Sequence, residues 1–250
     1  RTPLFCLFGV HLYQDLAFAL GGDRPVIGMH VPFRYVPGRD SRPTLADIAT
    51  RYVDLIRRHQ PHGPYHLLGL CFGGIVAYEV ARQLETAGEC VDSVAVIDAI
   101  LPTAIRVDAG RRLRSYVDSA QRVLREPQDL ERWVRKRGEA LAARVPLLGR
   151  LKAAAGLVNG TKAIDLPIDG PEVEAEVRRF AVAASRVSAR LLVVRAMAER
   201  TPDWMAVDPA HGWGERADVV RVHDIPADHL GVLREPHVQS LARVLVDVCC

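Results

Sequence analysis

The chain has 250 residues, 33 Lys+Arg against 30 Asp+Glu, and 49% apolar residues. A net charge of +3 lacks the dominant basic field of a general nucleic-acid binder. The apolar content sustains a real core, and the length suits one large α/β domain over residues 1–250. Six short runs rich in Val, Ile and Leu read as strands: Leu4–Phe8, Val26–Val31, His66–Leu70, Ser93–Asp98, Leu191–Arg195 and Val219–Val222. Most are near-continuously apolar, as parallel strands covered on both faces are. Helical patterns lie between them, at His11–Leu20, Leu45–His59, Gly74–Thr86 and from Pro236 to about Val248. Alternating strands and helices predict a mostly parallel sheet flanked by helices.

The alternation stops between Leu101 and Ser188. Apolar residues recur there at helical spacing, Pro127, Pro146, Pro167 and Pro171 punctuate the stretch, and no convincing strand is seen. A helical insertion over residues 103–188 is the expectation. It holds the positive charge of the chain. Residues 103–165 carry 14 Lys/Arg and 7 Asp/Glu, a net of +7, which leaves −4 for the rest.

No apolar run approaches the roughly 20 residues that a membrane-spanning helix needs. The N-terminus lacks the basic and apolar zones of a signal peptide. Five Cys, at positions 6, 71, 90, 249 and 250, form no metal-ligand spacing. An odd count without a secretion signal fits reduced thiols in a cytoplasm. The opening Arg1-Thr2-Pro3 reads as a piece of a longer polypeptide.

The most informative stretch is Tyr65-His-Leu-Leu-Gly-Leu-Cys71-Phe-Gly-Gly-Ile75. An apolar strand runs into Gly69-x-Cys71-x-Gly73 and then a helix, which is the nucleophile-elbow pattern with Cys in place of Ser. The turn must be so sharp that Gly flanks the nucleophile, whose side chain then stands above the sheet edge. The helix N-terminus behind it directs partial positive charge at the site, a field expected to lower the thiol pKa and favour the thiolate.

An elbow requires a late His and an acid before it. His211, His223, His229 and His237 are the late candidates. His229, in Ile225-Pro-Ala-Asp-His229, lies in a loop between the last strand and the last helix, where loops converge above the strand C-termini. His223 reads as a structural His ending a strand, and His237 as part of the last helix. For the acid, Asp98 ends the strand that follows the nucleophile helix, and Glu199 or Asp203 follows the next strand. Asp98 is favoured, to hold the imidazole tautomer and stabilise the imidazolium. Trp213 is expected to pack under the last strand, and neither it nor Trp204 is placed in the site.

These residues closely resemble the type I thioesterase domains of non-ribosomal peptide synthetases and polyketide synthases, in a Cys-nucleophile variant. The resemblance spans about residues 3–248 and is weakest in the insertion. It implies an α/β-hydrolase fold with a helical lid. It also implies an acid in Val94-Ala-Val-Ile-Asp98 and a base in a G-x-H-like turn at Ala227-Asp228-His229. The family often has His-Pro-Gly-Gly after its first strand, where this chain reads Phe8-Gly9-Val10-His11. The oxyanion donors implied are the backbone N–H of Phe72 and that of Gly9 or Val10. The implied activity is chain release: Cys71 takes an acyl or peptidyl chain from the phosphopantetheine thioester of a carrier domain, upstream in the same polypeptide, and frees it by cyclisation or hydrolysis. No bound cofactor or metal is implied. The basic segments Arg111–Arg114 and Arg132–Arg137 would face an acidic carrier, or form a solvated helix face. The alternatives are a stand-alone editing thioesterase, a non-catalytic carrier-binding scaffold and a small-molecule esterase.

Overall fold

A computed structural model describes residues 1–22, 24–32, 34–35, 42–115, 118, 164–165, 171–198 and 201–249. The strands are β1 (Leu4–Leu7), β2 (Val26–Met29), β3 (Arg34–Tyr35), β4 (Tyr65–Leu70), β5 (Val91–Ile97), β6 (Ile105–Val107), β7 (Ile164–Asp165), β8 (Arg190–Ala196), β9 (Met205–Val207) and β10 (Val220–Ile225). The helices are α1 (Gln14–Ala19), α2 (Leu45–His59), α3 (Phe72–Thr86), α4 (Pro171–Ala183) and α5 (Val238–Cys249).

Six strands form one parallel sheet in the order β10-β8-β5-β4-β1-β2. This is the α/β-hydrolase fold. Successive strand residues point to opposite faces. Phe5, Leu7, Leu67, Val94, Val96, Leu191 and Val193 therefore join one apolar layer with α2, α3 and α4. Leu4, Cys6, Leu68, Leu70, Ile97, Leu192 and Val194 join the other with α1 and α5. Burial on both faces explains why these strands read as unbroken apolar runs. β10 is the exception: it is an edge strand with Arg221, Val222 and Asp224 exposed, and it runs past the expected Val222 to Ile225.

Elements end where the backbone cannot continue. β1 stops at Leu7 because Phe8 turns to φ 62, and β5 stops at Ile97 because Asp98 turns to φ 46. α2 matches its expected span. Thr44 caps it: the hydroxyl accepts the Asp47 N–H (3.1 Å) and the Asp47 carboxylate accepts the Thr44 N–H (2.9 Å), an arrangement that contributes about 1 kcal/mol.

The expectation of a strand-free insertion is corrected at two places. β6 pairs antiparallel with β9, and β7 with β3. These ribbons are two or three residues long, too short to leave an apolar period in the sequence. The Asp108 N–H donates to the Trp204 carbonyl and the Asp208 N–H to the Ala104 carbonyl, each at 2.9 Å, extending the β6–β9 ribbon at both ends. Residues 109–115 are helical. Arg112 lies over the Trp204 ring, 5.3 Å from its centre, and Arg111 pairs with Asp108. Arg132–Arg137 lie outside the described residues. Among the described residues, no helix is long and apolar enough to cross a membrane, and no cluster of three His, Cys, Asp or Glu is arranged to hold a metal.

Candidate active site

Cys71 stands between the C-terminus of β4 and the N-terminus of α3, with φ 54 and ψ −122. A non-Gly residue in this region costs on the order of 1–3 kcal/mol. The surroundings hold it there. The Cys71 N–H donates to the Ile97 carbonyl at 2.8 Å, and the Gly74 N–H donates to the Cys71 carbonyl at 3.0 Å. Gly69 is obligatory for close approach: a Cβ there would lie 2.1 Å from the Gly73 carbonyl carbon and oxygen. One at Gly74 would lie 2.9 Å from the Gly69 carbonyl oxygen. The turn is thus set by backbone-on-backbone contact.

Tyr13 ties the elbow to its neighbour strand, a role that no sequence motif announces. Its buried hydroxyl donates to the Leu7 carbonyl (2.8 Å) and accepts the Leu70 N–H (3.2 Å). Leu70 precedes the nucleophile and Leu7 precedes the loop Phe8–Val10. Burial pushes the phenol far up, so the hydroxyl stays neutral.

Asp98 and His229 come together from distant parts of the chain. His229 Nδ1 donates to Asp98 Oδ2 at 2.6 Å, a short, charge-assisted geometry. The Asp98 N–H donates to the Val194 carbonyl at 2.7 Å, which fixes its backbone to β8. The His229 loop is held by Asp228, whose Oδ1 accepts the Gly231 N–H at 2.7 Å, and by the Ala198 N–H donating to the Ala227 carbonyl at 3.0 Å. Of the competing positions, His211 is buried and lines a cavity with Asp98, whose carboxylate is bonded to His229 instead, and the others sit elsewhere. His223 Nε2 meets Ser240 Oγ at 3.1 Å, His237 lies just ahead of α5 rather than within it, and Asp203 is exposed. Glu199 lies outside the described residues.

Two expectations are corrected. Burial pushes the Cys71 thiol up, even though the residue reaches solvent. The nearby Asp98 carboxylate adds to this, and the Phe72 N–H directed at the sulfur opposes it without prevailing. The helix N-terminus is therefore not enough to hold a resting thiolate. The second concerns Gly9, whose N–H donates to the Met29 carbonyl at 3.0 Å and is spent. Val10 remains from that loop, beside Phe72. The loop lies tightly on β2, where a Cβ at Gly28 would stand 2.8 Å from the carbonyl oxygens of Gly9 and Val10. Phe8 packs edge-on against Phe72, ring centres 5.4 Å apart.

A cavity of ≈ 220 Å³ opens against Phe72, with Leu45, Ile48 and Val173 as apolar walls and the Arg42–Glu172 ion pair on its rim. Trp213 is fully buried, against Tyr78 of α3 and Phe180 of α4.

Comparison with known proteins places this geometry in a family. The chain is 34% identical to malpinin synthetase of Mortierella alpina over 165 residues, 61% of this chain and 2% of that one. It is 41% identical to indigoidine synthase of Dickeya dadantii over 98 residues, 38% of this chain and 6% of that one. It thus spans a few per cent of the length of these curated relatives. In fold it is similar to the NocB thioesterase domain in covalent complex with a fluorophosphonate nocardicin G analog, with TM-score 0.58 and 21% identity over 100% of this chain and 95% of that one. The family model described as thioesterase domain matches residues 4–248, and the chain belongs to that family.

Proposed function

We propose that the chain is a chain-releasing thioesterase domain of the kind found in non-ribosomal peptide and polyketide synthases, with Cys71 as nucleophile, His229 as general base and Asp98 as its orienting acid. One observation carries the reading: the strained elbow presents Cys71 at the same sheet edge where Asp98 holds His229 Nδ1 at 2.6 Å. The similarity to synthetases many times longer supports an acyl or peptidyl chain delivered on the phosphopantetheine arm of a carrier domain in the same polypeptide. The exposed Arg111 and Arg114 at the start of the basic block are suited to an acidic carrier, by speeding encounter.

The raised thiol pKa sets the order of events. Cys71 rests as a thiol, and His229 Nε2 takes its proton as sulfur attacks the thioester carbonyl carbon. The N–H groups of Phe72 and Val10 receive the oxyanion. Collapse expels the pantetheine thiolate, which regains a proton from His229, and leaves the chain as a Cys71 thioester. His229 then deprotonates the acceptor, and collapse of the second intermediate returns Cys71 to its thiol. Ser at this position would form a more stable ester. Cys exchanges thioester for thioester, so the acyl-enzyme keeps its activation for a demanding acceptor, such as an amine or hydroxyl of the same chain that closes a ring.

The test is mass spectrometry after incubation with acyl-N-acetylcysteamine thioesters. An acyl adduct on the Cys71 peptide, absent in Cys71→Ala, is expected. Turnover that survives Cys71→Ala with no adduct refutes the reading. A Cys71→Ser variant with the same ring-to-acid product ratio and rate would refute the role given to the retained thioester.

A further inference from the structure

Asp98 occupies a strained conformation, φ 46, and something must hold it there. One restraint is the sheet, where the Asp98 N–H donates to the Val194 carbonyl and the Ala196 N–H reaches Asp98 Oδ1 at 3.4 Å. The other comes from the turn Asp208–Trp213, about 110 residues later in the chain. The Trp213 indole Nε1–H donates to the Ala99 carbonyl at 2.6 Å. The His211 carbonyl accepts the Leu101 N–H at 3.0 Å. Both bonds grip the three residues that follow the acid.

The turn is itself rigidly built. The Asp208 carboxylate accepts the N–H groups of Ala210 (3.1 Å) and Gly212 (2.9 Å), and its carbonyl accepts the His211 N–H (2.8 Å). Gly212 has φ 85, and a Cβ there would stand 3.0 Å from Leu101 Cβ, so the turn sits flush on the segment it grips. Trp213 is 0% exposed. Its ring packs on Tyr78, whose hydroxyl lies 2.8 and 2.7 Å from the Ser185 and Arg216 carbonyls and shares its one proton between them. The indole has one donor and spends it on Ala99, a hydrogen bond that core packing alone does not require. A Phe would fill much of the same space without it.

We propose that Trp213 is a positioning residue for the acid: through the Ala99 carbonyl, it keeps Asp98 in its left-handed conformation with the carboxylate aimed at His229. The inference rests on the reading of Asp98 and His229 as catalytic partners. Losing the indole donor frees Ala99, lets Asp98 relax toward ordinary φ, and lengthens the bond to His229 Nδ1.

The experiment removes the donor and keeps the shape. 3-Benzothienylalanine, in which sulfur replaces the indole N–H, is incorporated at position 213 alone, and Trp213→Phe serves as a second variant. Turnover of the acyl-N-acetylcysteamine thioester best used by the wild type is followed beside Asp98→Asn. The benzothienyl variant is expected to lose about tenfold or more in kcat with KM little changed, as small misplacements of catalytic groups do. The downfield proton of the His229–Asp98 hydrogen bond is expected to weaken. A structural role alone would lower the melting temperature and leave kcat and the proton resonance as they are. That outcome, with Asp98→Asn strongly impaired, overturns the inference and leaves the catalytic reading standing. Wild-type kcat in Asp98→Asn overturns both.

Discussion

Replacing Tyr13 by Phe deletes one hydroxyl that joins the ends of β1 and β4 directly beneath the elbow. The ring is 1% exposed, so water cannot substitute without opening the core. The Leu70 N–H loses its 3.2 Å partner and the Leu7 carbonyl its 2.8 Å partner. Each orphaned buried group costs about 1–3 kcal/mol, offset in part because the mutant no longer buries a hydroxyl, so a net loss of about 2 kcal/mol is expected. For a chain of this size that lowers the melting temperature by about 4–8 °C. Urea unfolding should show a lower midpoint at unchanged slope. Leu70 precedes Cys71 and Leu7 leads into the loop of Val10, so kcat on an acyl-N-acetylcysteamine thioester should fall as well. A variant within about 0.5 kcal/mol of wild type, a difference typical of surface substitutions, with unchanged kcat, would refute the argument.

Acid should destabilise the fold through His66, which burial, aided by Arg24 and Arg190 and opposed by Asp92, pushes down to about 4. Its folded value lies below the unfolded 6.5, so its contribution is complete above pH 6.5 and is lost as pH falls through about 4. At about 1.4 kcal/mol per pH unit this amounts to at most about 3 kcal/mol, and His66→Gln should flatten the pH dependence of urea unfolding between those limits. Equal slopes for the two proteins would contradict it. Iodoacetamide labelling of Cys71, followed by peptide mass, should rise only above the ordinary thiol value of 9.0, because burial and Asp98 hold the thiol protonated. An inflection below pH 7 would restore the resting thiolate. Gly69→Ala forces a Cβ to 2.1 Å from Gly73 backbone and 2.5 Å from the Gly74 nitrogen, where neither partner is a flexible side chain. It should cost about 3 kcal/mol or more, read as a collapse of soluble yield or urea midpoint.

The central sheet was legible in the sequence because burial on both faces writes an unbroken apolar run, and α2 was legible from its helical apolar spacing over Leu45–His59. The elbow was legible because Gly69 and Gly74 stand where a Cβ would run into backbone, at 2.1 and 2.9 Å. The pairing of Asp98 with His229 followed from where strands end. What stayed hidden depends on contacts between distant segments. The loss of the Gly9 N–H needs Met29, the thiol shift needs the burial around Cys71, and the place of Trp213 needs Tyr78, Phe180 and Ala99. The short ribbons carry too few residues to leave a period, and one of them, β6, is exposed throughout.

The β6–β9 ribbon has a practical consequence for exchanging the insertion between relatives. Half of its root is encoded at Ile105–Val107 and the other half at Met205–Val207, with the Asp108–Trp204 and Asp208–Ala104 hydrogen bonds as the seam. A graft cut at residues 103 and 188 would import one edge of that seam without its mate. A chimera that carries residues 201–208 along with the insertion preserves the joint, and with it the run-in to the turn that grips Asp98.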